Sequence, residues 1–287
     1  MPRLLVIGTG LIGGSFALAM RQAGCFTYIE GLDVDASAAE RALQLGVIDS
    51  VASDPTTAIA TADAVLIAVP TTDIAALVRR IEVQVEGRAI TAFDAGSVKG
   101  SVLDELRRGG GVPAWFVPSH PMAGSEHHGP AAADANLFRD RQVIVTPQPE
   151  SDRAALERVA GWWRATGANV VEASTRVHDE MVALTSHLPH LLAFAFMNWV
   201  DRPHSGKPRD FAGPGLKDFT RIAASDARMW RQIFLENRVA ILAQYDGWTD
   251  LLGDLIEHLR SGRFDELEAM LANAQAARAR LTDQSND

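Results

Sequence analysis

The sequence predicts an α/β protein, a doubly wound and mostly parallel sheet followed by an all-helical region, and three observations carry that expectation. Up to residue 175, short β-rich runs alternate with helical stretches, the pattern of a sheet with helices on both faces. Most of those runs are continuously apolar rather than alternating, as strands buried on both sides are. Beyond about residue 175 the strand signals stop and everything reads as helix. The expected organisation is an α/β domain over 1–175 and a helical domain over 176–287.

Strands are expected at 4–7, 28–33, 64–69, 89–94, 115–118, 142–146 and 169–172. Gly24 and Gly46 stand where helix C-caps belong, and Ser151 opens a segment that Gly167 closes. Residues 181–200 are uncharged and long enough to span a bilayer, but they contain Thr185, Ser186, His187, Pro189, His190 and Asn198, so a buried core helix is expected there. A polar break with Pro and Gly follows from Asp201 to Gly215. From Ser225 onward, Trp230, Phe234, Ile241, Tyr245, Trp248, Leu252, Leu255 and Leu259 recur mostly in steps of three and four, as one continuous apolar seam. Phe234, Ile241, Trp248 and Leu255 form one row with a seven-residue period, and Tyr245, Leu252 and Leu259 form another. Two rows leave more apolar surface than one chain covers, which predicts a homodimer built by the helical domain.

The 287 residues are 47% apolar and 22% charged, the composition of a folded globular chain. With 27 basic and 36 acidic residues, the net charge is −9, which repels phosphate backbones and anionic lipid headgroups; no basic patch offsets it, so neither nucleic acid nor a membrane is an expected partner. The single cysteine, Cys25, cannot form an internal disulfide and fits a reducing cytoplasm. Residues 4–20 are uncharged, follow Arg3 and end in Ala17-Leu18-Ala19 like a cleaved leader. Their four glycines, Gly8, Gly10, Gly13 and Gly14, have spacings that a leader does not need.

Those glycines follow a strand and open a helix. Gly8 supplies a tight turn, Gly10 admits a pyrophosphate to the backbone and Gly13 lets helix and strand pack closely, while the helix N-terminus stabilises phosphate charge. Twenty residues after Gly13, Asp33 ends the second strand, where a carboxylate takes the ribose hydroxyls of NAD. Val34, Asp35 and Ala36 come next, with no arginine for a 2′-phosphate, which favours NAD over NADP. Gly8, Gly10, Leu11, Ile12, Gly13 and Asp33 are therefore the expected cofactor contacts.

Hydride transfer needs a group that manages the proton on the oxygen of the oxidised carbon, and histidine is the commonest choice. Of eight histidines, His120 stands at the end of a strand, entering the loop Pro121-Met122-Ala123-Gly124-Ser125-Glu126, on the edge where open α/β sheets place ligands. His127 and His128 are read as a solvated loop pair, with metal ligation as the alternative, since nothing supplies further ligands at zinc-site spacing; no metal is expected. His187 and His190, three apart, share a helical face with Ala183 and Phe194, and Pro189 between them should kink the helix. His190 is read as a satisfied core histidine beside a substrate contact. Lys217 and Arg221 stand one turn apart on a common face, suited either to carboxylate capture or to a solvated surface role beside Asp218.

Taken together, Gly8–Ser15, the stretch Asp94-Ala95-Gly96-Ser97-Val98-Lys99, the loop His120-Pro121-Met122-Ala123-Gly124, the segment Ser186-His187-Leu188-Pro189-His190 and the turn Lys217-Asp218-Phe219-Thr220-Arg221 resemble the prephenate dehydrogenases of tyrosine biosynthesis, over residues 2 to about 260. The resemblance implies a Rossmann-type domain followed by a helical dimerisation domain, and NAD-dependent oxidative decarboxylation of prephenate to 4-hydroxyphenylpyruvate. By the same resemblance His120 bonds the ring hydroxyl, Ser97 orients that site near the nicotinamide and Arg221 binds a substrate carboxylate. His190 and Lys217 line the pocket, and Ser125 and Trp230 help form it across a dimer. No metal enters this chemistry. Neither an appended mutase segment nor a regulatory domain is expected. The competing expectations are an arogenate or dual-specificity cyclohexadienyl dehydrogenase, a 3-hydroxy acid dehydrogenase using Lys217, and a non-enzymatic NAD-binding redox regulator.

Overall fold

The computed structural model describes residues 2–85, 87–125 and 127–283. Its first part runs β1 (Arg3–Ile7), α1 (Leu11–Gln22), β2 (Tyr28–Leu32), α2 (Ala36–Gln44), β3 (Ser50–Val51), α3 (Pro55–Thr61), β4 (Ala64–Ile67), α4 (Thr71–Gln84), β5 (Thr91–Asp94), α5 (Gly100–Arg108) and β6 (Phe116–Val117). These strands form one sheet in the order β3-β2-β1-β4-β5-β6, every neighbouring pair parallel. The strand order reverses between β1 and β4, and ligands bind in the crevice beyond the carboxyl ends of the strands at such a switch point.

Alternation along β1 explains its apolar run. Leu4 and Val6 enter one core with Phe16, Phe93, Phe138 and Trp163, whereas Leu5 and Ile7 enter the opposite core with Ile59, Ile74, Val78 and Leu103. With both faces covered by helices, neither set has a polar role to play.

The chain then forms β7 (Ser119–Pro121), β8 (Gln142–Val145), α6 (Arg153–Ala165) and β9 (Asn169–Glu172). The last two expected strands therefore do not extend the first sheet: they make a second one, β7-β8-β9, with β8 antiparallel to β7 and parallel to β9. Pro118 marks the change, because it has no N–H with which to continue the ladder. His120 is thus inside a short strand, opposite Ile144, and not in a loop.

Four further helices follow, α7 (Thr175–Val182), α8 (Leu188–Val200), α9 (Pro214–Thr220) and α10 (Ala227–Glu236), and then α11 (Arg238–Ser261) and α12 (Phe264–Asp283). Packing divides the chain into two compact units, Met1–Arg238 and Val239–Asp287. Helices α7 and α10 belong to the first, lying against α5 and α4.

Two expectations about the helices are corrected. The stretch 181–200 is not a buried core helix: Met181, Leu184, Phe196 and Trp199 are exposed in the single chain. It is also not one regular helix. A π-turn over Ala183–His187 separates α7 from α8, and Pro189, which lacks the N–H of a regular ladder, sits in the first turn of α8. The apolar seam is interrupted as well, because Asn237, at φ −105° and ψ 23°, ends α10 before α11 begins. Trp230 and Ile233 are buried with Val98, Phe194 and Phe234 around them, while Tyr245, Leu252 and Leu259 are exposed. Among the described residues no helix is long and apolar enough to cross a membrane.

Candidate active site

The register aligns Ile7 with Leu32 and with Ile67, so the glycine loop, Asp33 and Ala68 share the carboxyl edge of the sheet. Gly8 has φ +93°, and a Cβ there would stand 2.2 Å from the Ala68 carbonyl oxygen. At Gly13 a Cβ would stand 2.0 Å from the Gly8 carbonyl oxygen. Both positions exclude any other residue on steric grounds. Gly10 is different: nothing lies within 4 Å of its would-be Cβ, so its smallness serves open space at the start of α1, where no side chain caps the helix. Open backbone at an uncapped helix N-terminus fits a pyrophosphate.

Asp33 is held beside this loop. Its carboxylate accepts hydrogen bonds from the Thr9 amide at 2.8 Å and the Thr9 hydroxyl at 3.0 Å, and from the Asp35 amide at 3.0 Å. Thr9 therefore orients the carboxylate that a ribose would meet, a role invisible in the glycine spacing alone.

A cavity of about 690 Å³ opens from Gly10, Leu11 and Ile12 across Ala95 and Ser97 to His120. Its far wall carries Ser125, His187, His190, Arg221 and Trp230. Asp33 and Gly8 stand at the loop outside this lining. Within the single chain Ser125 and Trp230 line the same cavity as His120. His127 and His128 are both exposed, and His128 reaches the cavity wall.

His120 is buried, and its Nδ1 lies 2.9 Å from Nε2 of His178. Burial pushes the His120 imidazolium well below the ordinary histidine range, and the positive charges available at His178, Lys99 and His187 push the same way. The ring is therefore neutral at physiological pH. Its strand is anchored by a buried ion pair that runs between Lys99 and Asp94. Lys99 Nζ also donates to the Ser119 carbonyl at 2.7 Å, the Ser119 amide donates to Asp94 at 3.0 Å, and Trp163 Nε1 donates to the Ser119 hydroxyl at 3.0 Å. A buried pair with its remaining valences satisfied fixes geometry, and losing either partner strands a charge in a dry site.

The π-turn separates the roles of the two helical histidines. His187 is buried and bonded through Nδ1 to Asn237 at 3.0 Å; desolvation lowers its pKa to about 4, against the opposing pull of Asp179. His190 donates from Nδ1 to the Ser186 carbonyl at 2.8 Å and stacks on Trp230. The Trp230 indole N–H is buried without a partner among the described residues, so it is available to a substrate acceptor.

Lys217 is not brought to this cavity. It lines a separate one with Arg202, His204, Lys207 and Arg209. The helix breaks between the two basic residues, since Thr220 has φ −96° and ψ 0° and Arg221 opens a 3₁₀ turn. Lys217 and Arg221 thus lose the common face that a continuous helix would give them. Sequence reasoning missed His178, Asp179 and Asn237, and it quoted Thr9, Asp94 and Lys99 only within motifs, without the hydrogen bonds of Thr9 to Asp33 or the pairing of Lys99 with Asp94.

The family model described as prephenate dehydrogenase, nucleotide-binding domain, matches residues 16–172, and that for the prephenate dehydrogenase dimerization domain matches residues 174–273. The chain belongs to the prephenate dehydrogenase family. It is 35% identical to the prephenate dehydrogenase of Bacillus subtilis over 247 residues, 85% of this chain and 67% of that one. To the cyclohexadienyl dehydrogenase of Zymomonas mobilis it is 34% identical over 283 residues, 97% and 95% of the two chains. The structure of prephenate dehydrogenase from A. aeolicus in complex with hydroxyphenyl propionate and NAD+ superposes with a TM-score of 0.91 at 32% identity, covering 98% of each chain. The nucleotide-binding match begins at residue 16, so the glycine loop of this family member is assigned by its own geometry.

Proposed function

We propose that this chain catalyses the NAD-dependent oxidative decarboxylation of prephenate to 4-hydroxyphenylpyruvate, in the cytoplasm and as a homodimer built through its helical region. The observation that carries the activity is one cavity joining the dinucleotide loop at Gly10–Ile12, a neutral His120, and Arg221, His190 and Trp230. The division into a nucleotide-binding part over 1–175 and a substrate and dimerisation part over 176–287 belongs to the same proposal.

Bound NAD+ supplies the hydride acceptor. His120 takes the ring hydroxyl proton as the carbon bearing it gives up its hydride. The ring carboxylate then leaves as CO2, the electrons it releases make the ring aromatic, and His120 returns the proton to the phenolate oxygen. Ser97 orients this end of the site, and Arg221 holds a carboxylate by charge-assisted hydrogen bonds. The walls supply position and exclude water, while the substrate's drive to aromatise supplies the driving force.

Substrate preference is a second matter. The 34% identity to a cyclohexadienyl dehydrogenase over 97% of this chain favours use of arogenate as well. A 3-hydroxy acid dehydrogenase mechanism would need Lys217 in the cavity, which it does not line. Incubation with NAD+ and either prephenate or arogenate, followed by the near-ultraviolet absorbance of the reduced nicotinamide, tests the activity and ranks the two substrates. His120→Asn should lower turnover by roughly 10² to 10⁴, the usual worth of a positioned acid or base, with NAD affinity little changed. Full turnover in that variant would move the proton chemistry to another residue.

A further inference from the structure

Behind His120 lies a chain of hydrogen bonds that leads away from the cavity. His120 Nδ1 meets His178 Nε2 at 2.9 Å, and His178 Nδ1 meets Asp179 Oδ1 at 2.7 Å. Asp179 also accepts from the amides of Lys99 at 3.0 Å and Gly100 at 2.7 Å, at the N-terminus of α5. Gly100 permits that approach, because a Cβ there would stand 2.6 Å from Asp179 Oδ2. From the other side, Asn237 Nδ2 donates to the Asp179 backbone carbonyl at 2.9 Å. His178 is fully buried. It is not part of the cavity wall, so its role in any reaction is exercised through His120.

The direction of the protons follows from chemistry. Burial alone would raise the Asp179 pKa, yet the hydrogen bonds from His178, Lys99 and Gly100 hold it below the ordinary carboxylate value. Asp179 is therefore ionised and accepts only. In its neutral form His178 places its one proton on Nδ1, facing Asp179, which leaves Nε2 as a bare acceptor. His120 must then place its own proton on Nδ1, facing His178, which leaves its Nε2 bare for the cavity.

We propose that His178 and Asp179 are positioning residues for the proton transfer: they hold His120 in the one neutral tautomer able to accept the substrate hydroxyl proton, and they stabilise the imidazolium it becomes. This rests on the dehydrogenase activity above, but the tautomer itself is a property of the free protein. No further reactant is needed. One proton passes from the substrate oxygen to His120 Nε2, the Nδ1–H stays in its bond to His178, and the Asp179 charge offsets the new cation, as in triads where a carboxylate orients a histidine without taking its proton. Among the described residues, the other titratable or charged groups around His120 are Lys99 with its partner Asp94, His128, His187, His190 and Arg221. Of these only Asp94 is acidic, and its charge is already taken by Lys99.

Nitrogen-resolved NMR of the imidazoles of the free protein tests the tautomer directly, the His120 signals being assigned by their loss in His120→Asn. The expected result is a neutral ring protonated on Nδ1. A ring protonated on Nε2 would overturn the proposal even if prephenate is turned over normally, and a correct tautomer in a protein that does not turn prephenate over would instead remove the activity on which the proposal rests. A kinetic arm separates positioning from packing. Asp179→Asn offers an N–H where only lone pairs stood, so kcat should fall by roughly 10² to 10⁴, while the KM for prephenate stays within about twofold. The acid limb of the pH profile should move to lower pH, because the imidazolium has lost its counter-charge. For His178, Gln keeps an acceptor toward His120 and Leu does not; Gln should retain at least tenfold more activity than Leu. Equal losses in the two variants, or an unmoved acid limb in Asp179→Asn, would reduce the pair to packing and refute the proposal.

Discussion

His190 lies against Trp230 with ring centroids 3.6 Å apart and planes 19° from parallel. The stack aligns two groups that have unspent valences. His190 has committed Nδ1–H to the Ser186 carbonyl, and burial, together with the charge of Arg221, holds its pKa below the ordinary histidine value despite that bond. Its Nε2 is thus an acceptor at neutral pH, while the Trp230 indole N–H is a donor without a partner among the described residues. Trp230→Leu removes the donor and the surface on which His190 rests. The KM for prephenate should rise at least tenfold, with kcat changing less and NAD affinity unchanged; steady-state kinetics at saturating NAD+ read this. An unchanged KM would exclude Trp230 from substrate binding.

Asp33 selects the cofactor. Substituting it by Ser removes ribose hydrogen bonds and, at the same time, the charge that would repel a 2′-phosphate. NAD affinity should fall far more than NADP affinity in titrations of each cofactor with the free protein. Equal losses for both cofactors would mean that Asp33 serves only to orient Thr9.

Acid should destabilise the fold through its buried histidines. His187 has a pKa of about 4 in the folded chain against an unfolded value near 6.5. The unfolded chain therefore binds more protons between those values, and stability is fully present above about pH 6.5 and lost as pH falls toward about 4. The loss is about 3 kcal/mol from this residue. His120, lowered for the same first reason, burial, adds to it. Thermal melting followed between pH 7 and 4 should show a falling midpoint, and His187→Gln should flatten the fall. A midpoint as steep in the variant as in the parent would assign the loss to other groups.

Helices α11 and α12 should hold two subunits together. Within Val239–Asp287, Leu242, Tyr245, Leu251, Leu252, Ile256 and Leu259 are exposed in the single chain, and residues 174–273 match the family's dimerization domain. Trp248→Asp places a charge among them, and burying an unpaired charge costs several kcal/mol. Sedimentation should show a dimer for the parent and monomer or unfolded chain for the variant. A fully active parent that sediments as a monomer at micromolar concentration would exclude the dimer.

Sequence by itself determined the dinucleotide half of this protein. The steric demands at Gly8 and Gly13 are local, set by one strand, one turn and one helix, so their spacing was legible, as were Asp33 at a strand end and the continuously apolar strands. The helical character beyond residue 175 was equally local in origin. Tertiary structure decided the rest. Pro118 redirected the chain into a second sheet and made His120 a strand residue; the π-turn at Ala183–His187 gave His187 to Asn237 and His190 to Trp230; the break at Thr220 sent Lys217 to another cavity while Arg221 stayed. His120 and His178 are 58 residues apart in sequence and 2.9 Å apart in space. Periodicity reports which face of an element is apolar, because burial acts on each residue separately. Which nitrogen of a histidine meets which acceptor is set by the packing of several elements at once, and no single stretch of sequence carries that information.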